Sequence, residues 1–179
     1  MVPVLVPPGR AALHGGRTSR RLPRMIAQLV EAAAVIGELA ATNKEAALKE
    51  LLVAAQSNRS FDASVAKTLG KRLLDREAIG STGLGNGVAV PHVKGDSVQK
   101  PVLVVARSRR GLEWQAIDGR PVHVLFLLVS PAADPEVHLQ ALRWIAGLAR
   151  SADFRRFLLD AAGVEAMRDL LREHAGQAS

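Results

Sequence analysis

The segment REAIGSTGLGNGVAVPH occupies residues 76–92. Its reading decides what surrounds it. Arg76 and Glu77 end an amphipathic stretch of helical spacing, and a loop follows with glycines at positions 80, 83, 85 and 87. Residues 88–91 form a short apolar strand, which Pro91 stops or marks as an edge. His92 comes straight after that proline. The loop is not a P-loop, because no Gly-Lys-Ser/Thr ends it. It is not a dinucleotide fingerprint either, because the chain leaves it into a strand, whereas that fingerprint opens a helix. Glycines can still bring backbone N–H groups close to an anion. A loop this rich in glycine is also often only a connector.

Upstream, residues 62–76 place Val65, Leu69, Leu73 and Leu74 at helical spacing, and residues 44–56 do the same with Ala47, Leu48, Leu51, Leu52 and Ala55. Thr42 and Glu45 form a capping-box pattern in front of the latter. Residues 57–60 read as a turn. Residues 25–41 are Ala-rich and compatible with a helix, with a strand as the alternative over 34–39. Downstream, residues 101–106 and 122–129 read as strands. Asp118-Gly119 is a turn signal between residues 114–117 and the second of them. Asp134-Pro135-Glu136 is a strong helix start, with a cap, a proline in the first turn and an acid at the positive end of the dipole. That helix should reach about residue 149. Ser151 can cap another through residue 159, and Gly163 precedes a last one ending near residue 174. No internal repeat is present. Helices, then strands, then helices imply an α/β fold, a mixed β-sheet flanked by helices in a single domain.

The 179 residues suit one domain with a sizeable core. With no cysteine in the chain, disulfides, thiol nucleophiles and thiolate metal sites are excluded. No apolar run approaches the roughly 18 residues that a membrane span needs. The net charge of +7 is lopsided. Residues 1–24 carry Arg10, Arg17, Arg20, Arg21 and Arg24 and no acid, leaving 19 basic and 17 acidic side chains elsewhere. The body is therefore nearly neutral, and the charge does not argue for a nucleic-acid partner. Aromatic content of 3% with no tyrosine leaves little for base stacking. Residues 1–24 are expected to be a basic, disordered extension; their prolines and Gly15-Gly16 oppose the amphipathic helix of a transit peptide. Residues 25–175 are the expected domain. Met25 opens the first regular segment, so a start site placed upstream of the natural one is an alternative.

His92 gives the glycine loop its chemistry. A neutral imidazole near its pKa is a nucleophile at physiological pH. Arginine supplies fixed charge and several donors to a transferring phosphoryl group, and phosphoryl transfer needs mostly positioning and charge neutralisation. A second histidine, His138, sits in the first turn of the helix that Asp134 caps. The dipole there disfavours its protonation and favours an anion nearby. These parts suffice to pass a phosphoryl group between histidines without a metal or other cofactor.

Arg76-Glu77-x-x-Gly80-Ser81-Thr82-Gly83, followed by Gly87-Val88-Ala89-Val90-Pro91-His92, resembles the signature of the enzyme IIA domains of the phosphoenolpyruvate-dependent phosphotransferase system, fructose/mannitol class. Gly85-Asn86-Gly87 is most similar to the nitrogen-regulatory branch, enzyme IIA-Ntr. Ala116-Ile117-Asp118-Gly119-x-Pro121-Val122 and His138-Leu139 extend the resemblance over roughly residues 39–171, with 25–38 matching weakly. The resemblance implies a cytoplasmic phosphohistidine carrier on a mixed sheet flanked by helices. His92 would accept phosphate from HPr or its nitrogen-branch counterpart, Arg76 would contact the phosphoryl group, and His138 would stabilise the phosphorylated form. Ser81, Thr82, Gly83, Gly85 and Gly87 would form the phosphate-binding loop. The chain carries no transporter or sugar-binding segment, which favours a regulatory endpoint. The alternatives are an IIA subunit passing phosphate to a sugar-permease IIB partner, and an interaction module of the same fold that is not phosphorylated. Val93 departs from the glycine usual after the active histidine in nitrogen-type members.

Other candidates carry less. His123 shares a strand face with Leu125 and Leu127 and reads as partly buried and structural. A metal site from His92, His123 and His138 lacks a carboxylate-bearing ligand motif. His14 and His174 fall in expected tails. Trp114 packs at a hairpin or lies near the donor-docking surface. A nucleophile elbow for a hydrolase is missing.

Overall fold

The computed structural model describes residues 21–57 and 61–177. The expected turn at 57–60 falls largely outside these residues, as does most of the expected N-terminal extension. The expected domain boundary at residue 25 lies inside the first helix, α1, which spans Arg21–Glu31. β1 (Ala34–Ile36) follows, so residues 25–41 hold both the helix and the strand read as alternatives. Next come α2 (Lys44–Ser57) and α3 (Ala63–Ile79). Asn43, not Thr42, caps α2: its side-chain carbonyl accepts from the Ala46 N–H at 2.9 Å. With Ala46 three residues after Asn43, this is a simple side-chain cap and not the expected capping box. Asp62 caps α3 by accepting from the Val65 N–H, and α3 runs three residues past the expected end at 76 to Ile79.

The strands are β2 (Gly83–Gly85), β3 (Val88–Ala89), β4 (His92–Gly95), β5 (Val102–Leu112) and β6 (Val122–Pro131). Residues 114–117 are irregular and form no strand. β5 and β6 pair antiparallel, β1 lies parallel to β5, and β3 and β4 both lie parallel to β6. β2 closes the edge antiparallel to β3. β3 and β4 behave as one strand broken at Val90-Pro91, and across the break Pro91 still accepts from the Leu128 N–H at 3.0 Å.

Alternation along β5 and β6 sorts their side chains between two cores. Val102, Val104 and Ala106 with Leu125, Leu127 and Val129 pack on α2 and α3 through Leu48, Leu51, Leu69 and Leu73. Leu103 and Val105 with Val124, Phe126 and Leu128 pack on the other layer. That layer is α1, α4 (Pro135–Arg150), α5 (Ala152–Asp160) and α6 (Val164–Gly176). Burial on both faces explains why residues 102–106 and 122–129 read as continuous apolar runs, while β5 continues six residues past the expected end at 106. At about 1.5–3 kcal/mol for each fully buried large aliphatic or Phe side chain, the two cores dominate stability. The result is a mixed sheet flanked by helices, as expected.

Candidate functional site

His92 opens β4, and Lys94, two residues on, shares its face. Between them Val93 points the other way and is buried against the α2–α3 layer. Val93 therefore adds its side chain to the core and not to the site's surface. In register with β6, His92 stands opposite Leu128 and Lys94 opposite Ser130.

His138 reaches His92 from α4. Asp134 caps that helix by accepting from the Val137 N–H at 3.1 Å, with Pro135 in the first turn. His138 is 9% exposed, and its Nδ1 lies 3.0 Å from the Ser130 hydroxyl. The two imidazoles are 5.6 Å apart between centroids and tilted by 55°. The positions separated by 46 residues in sequence thus form one site. Arg76, in the last turn of α3, comes from the opposite helical layer. Its Nη1 donates to the Gly80 carbonyl at 2.8 Å, which folds it over the start of the glycine loop.

The electrostatics keep both rings neutral near pH 7. Burial pushes the His92 imidazole below its ordinary 6.5; its hydrogen bond to Val90 and the Glu77 carboxylate oppose this, while the positive charges of Arg76 and Lys94 reinforce it. Burial also pushes His138 down, to about 4, with further contributions from His92 and Lys94. The His92 Nδ1 lies 2.8 Å from the Val90 carbonyl oxygen. A carbonyl can only accept, so in the neutral ring Nδ1 carries the hydrogen and the Nε2 lone pair is free. The arrangement can therefore offer a nucleophile at Nε2, with cations nearby to hold an incoming anion.

Several amides of the glycine loop are engaged within the protein. The Thr82 N–H donates to Glu77 Oε1 at 3.0 Å, and the Gly83 N–H donates to the Ser81 hydroxyl at 3.1 Å. The Asn86 N–H donates to Asp118 Oδ2 at 2.8 Å. The Gly87 carbonyl accepts from the N–H groups of His123 and Val124. The amides of Thr82 and Gly83 are thus spent inside the protein. Gly85, Asn86 and Gly87 all adopt positive φ, 84°, 54° and 74°, in the tight turn between β2 and β3. Gly83 is needed for another reason: a Cβ there would lie 2.7 Å from the Ala116 backbone. Ser81, Thr82, Gly83, Gly85 and Gly87 consequently shape and anchor the segment that delivers His92.

Lys94, Glu77 and Trp114 have parts in the site that sequence reasoning did not assign. Lys94 could have been found from its i+2 relation to His92. Trp114 is fully buried and donates from Nε1 to the Thr82 hydroxyl at 3.3 Å, so it belongs to the core behind the loop. His123 is half-buried with Nδ1 at 3.0 Å from the Ser108 carbonyl, the structural role expected of it. His174 lies in α6, edge-on to Phe154 at 5.0 Å. Among the described residues no group of three or more His, Cys, Asp or Glu could hold a metal ion. No helix among them is long and apolar enough to cross a membrane. The segments that carry the site also expose apolar side chains: Ile79 and Ile117 are each 85% exposed, and Leu84 and Leu139 are partly so.

Residues 28–174 match the family described as phosphoenolpyruvate-dependent sugar phosphotransferase system, EIIA 2. The chain is 37% identical over 131 residues to the "PTS system fructose-specific EIIA component" of Haloferax volcanii, covering 73% of this chain and 83% of that protein. It is 34% identical over 147 residues to a "Nitrogen regulatory protein" of Bradyrhizobium diazoefficiens, covering 82% and 94%. The crystal structure of the nitrogen regulatory protein IIA-Ntr from Neisseria meningitidis superposes with a TM-score of 0.74 at 26% identity, covering 82% and 99%.

Proposed function

The chain belongs to the EIIA 2 family of the phosphoenolpyruvate-dependent sugar phosphotransferase system, and on that footing we propose that it is a phosphohistidine carrier whose acceptor is Nε2 of His92. The observation that carries this reading is the Val90 carbonyl 2.8 Å from His92 Nδ1, which leaves Nε2 as the nucleophilic nitrogen. The donor is an HPr-like protein bearing a phosphohistidine. The Nε2 lone pair attacks phosphorus in line; a new N–P bond forms as the donor's N–P bond breaks, and that electron pair returns to the donor imidazole. The His92 Nδ1 keeps its hydrogen, so the phosphorylated ring is an imidazolium whose charge the Val90 carbonyl stabilises. Arg76 and Lys94 face the transferring oxygens. His138, neutral beforehand, gains a reason to protonate once a phosphoryl group of nearly two negative charges arrives beside it. The exposed Ile79, Leu84, Ile117 and Leu139 form the apolar part of the docking surface for the donor.

The output is a regulatory one, in the cytoplasm, with target proteins that distinguish the phosphorylated from the free form. The Gly85-Asn86-Gly87 turn and the likeness to nitrogen regulatory proteins support it. The likeness to a fructose-specific EIIA component favours a second reading, in which the phosphoryl group passes on to a IIB partner. Incubation with phosphoenolpyruvate, enzyme I and HPr, followed by intact mass under alkaline conditions, tests the carrier role. The expected result is one phosphoryl group on the wild type and none on His92→Ala. No phosphate on the wild type with cognate donors overturns the carrier role, and label persisting in the variant overturns the site. Loss of the label to added IIB domain would select the second reading.

A further inference from the structure

Glu77 is the most deeply buried acid of the site, with its side chain 5% exposed, and it stands beside Arg76 on the last turn of α3. A buried carboxylate is costly unless paired and hydrogen-bonded, and this one is both. Oε1 accepts from Lys44 Nζ at 3.1 Å and from the Thr82 N–H at 3.0 Å, while Oε2 accepts from the Thr82 hydroxyl at 2.6 Å. Thr82 is held from a second side by Trp114 Nε1 at 3.3 Å, and Lys44 lies 5.3 Å from the centre of that indole ring. From Thr82 the bonding continues toward the nucleophile. Its carbonyl accepts from the Val90 N–H at 3.0 Å, and the Val90 carbonyl accepts from His92 Nδ1 at 2.8 Å. A continuous path of hydrogen bonds thus joins the start of α2 to the imidazole.

Resting on the reading of His92 as phosphoryl acceptor, we infer that Glu77, paired with Lys44, is a positioning residue that fixes the tautomer and aim of His92 through Thr82 and Val90. The reasoning is geometric. Which ring nitrogen is free to attack depends on whether the Val90 carbonyl stays aimed at Nδ1. Val90 precedes Pro91, which has no N–H to add to the sheet, so the strand is broken at the point where that carbonyl must be held. The bond from Val90 to Thr82 spans the break on one side, and Thr82 is fixed by the Glu77 carboxylate at both its N–H and its hydroxyl. Gly80 and Gly83, which bracket Ser81-Thr82, and the glycines beyond supply little stiffness of their own. Glu77 supplies it from a helix.

The test is long-range proton–nitrogen NMR of the His92 ring in the full chain, with the rate of phosphorylation by phosphoenolpyruvate, enzyme I and HPr measured in parallel. Wild type should show His92 with hydrogen on Nδ1. Glu77→Gln and Thr82→Val should raise the population with hydrogen on Nε2 and slow phosphorylation by about 10- to 100-fold, the range for a displaced reacting group. Thr82→Ser, which keeps the hydroxyl, should restore both. A purely structural Glu77 would lower the melting temperature and leave the tautomer alone. Folded Glu77→Gln and Thr82→Val with the wild-type ring pattern and rate overturn the inference; if Glu77→Gln does not fold, Thr82→Val decides. A wild type that shows the Nδ1 hydrogen but takes no phosphate overturns the carrier reading, while the ring pattern in the variants still decides the positioning role.

Discussion

Replacing His138 by glutamine should remove most of a pH-dependent loss of stability. In the unfolded chain this ring titrates near 6.5, and in the fold burial, then His92 and Lys94, hold it at about 4. Above pH 6.5 neither state binds the proton and the fold keeps its full stability. As the pH falls from 6.5 toward 4, the unfolded chain takes up a proton that the folded one refuses, so stability drops. Below about 4 both states are protonated and this residue costs nothing further. At 1.36 kcal/mol per pKa unit, the gap is worth about 3 kcal/mol in all, and about 2–3 kcal/mol of it should already be lost at pH 4.5. Urea unfolding at pH 7.5 and 4.5 measures this directly. Carboxylates and the other histidines titrate in both proteins, so the drop in unfolding free energy should be smaller by about 2–3 kcal/mol in His138→Gln than in wild type. Equal drops in the two proteins, or a wild-type His138 resonance titrating near 6.5, would refute the reasoning.

Arg76→Lys keeps a charge but loses the planar fork, and it should slow phosphorylation of His92 by about 10-fold or more in the coupled donor assay. Gly83→Ala puts a methyl group 2.7 Å from Ala116 and should cost about 1–3 kcal/mol, read as a lower urea midpoint. Arg107 is 2% exposed and donates to the carbonyls of Gly37, Leu158, Leu159 and Ala161. Arg107→Met should cost about 3 kcal/mol by leaving buried carbonyls unpaired, while the fraction that stays folded keeps its phosphorylation rate.

Features with a local cause were legible in the sequence. Asp134-Pro135 and Ser151 announced their helices because a cap is made by a side chain bonding a backbone N–H three residues away. Residues 102–106 of β5 and 122–129 of β6 were legible because burial on both faces leaves an unbroken apolar run, whereas residues 107–112 of β5 are mostly polar and were not. β2 and β4 were not, since each is short and exists only through pairing with a distant or bulged neighbour. The choice of Asn43 over Thr42 turns on where the first helical turn begins, which pattern alone places only to within a residue or two. The histidine pair emerged from motif and helix-start signals taken together. The Lys44–Glu77–Thr82–Trp114 network did not, because its members lie up to 70 positions apart and its logic is burial. That logic also gives Gly83, Gly85 and Gly87 a role in close packing and turns that the spacing did not disclose.

His92 is rooted in a sheet. Its neighbour Val93 is locked in one core, its partner residue Leu128 lies in the other, and β4 is bonded to β6 along its length. The backbone that carries the imidazole is thereby held in place by its neighbour strand. On the proposed carrier reading the acceptor is in effect an anvil, and the approach needed for transfer is made by the donor. On that reading phosphorylation would change the charge that the surface carries. A partner that tells the two forms apart would have to do so by charge and by the local proton balance of two adjacent imidazoles.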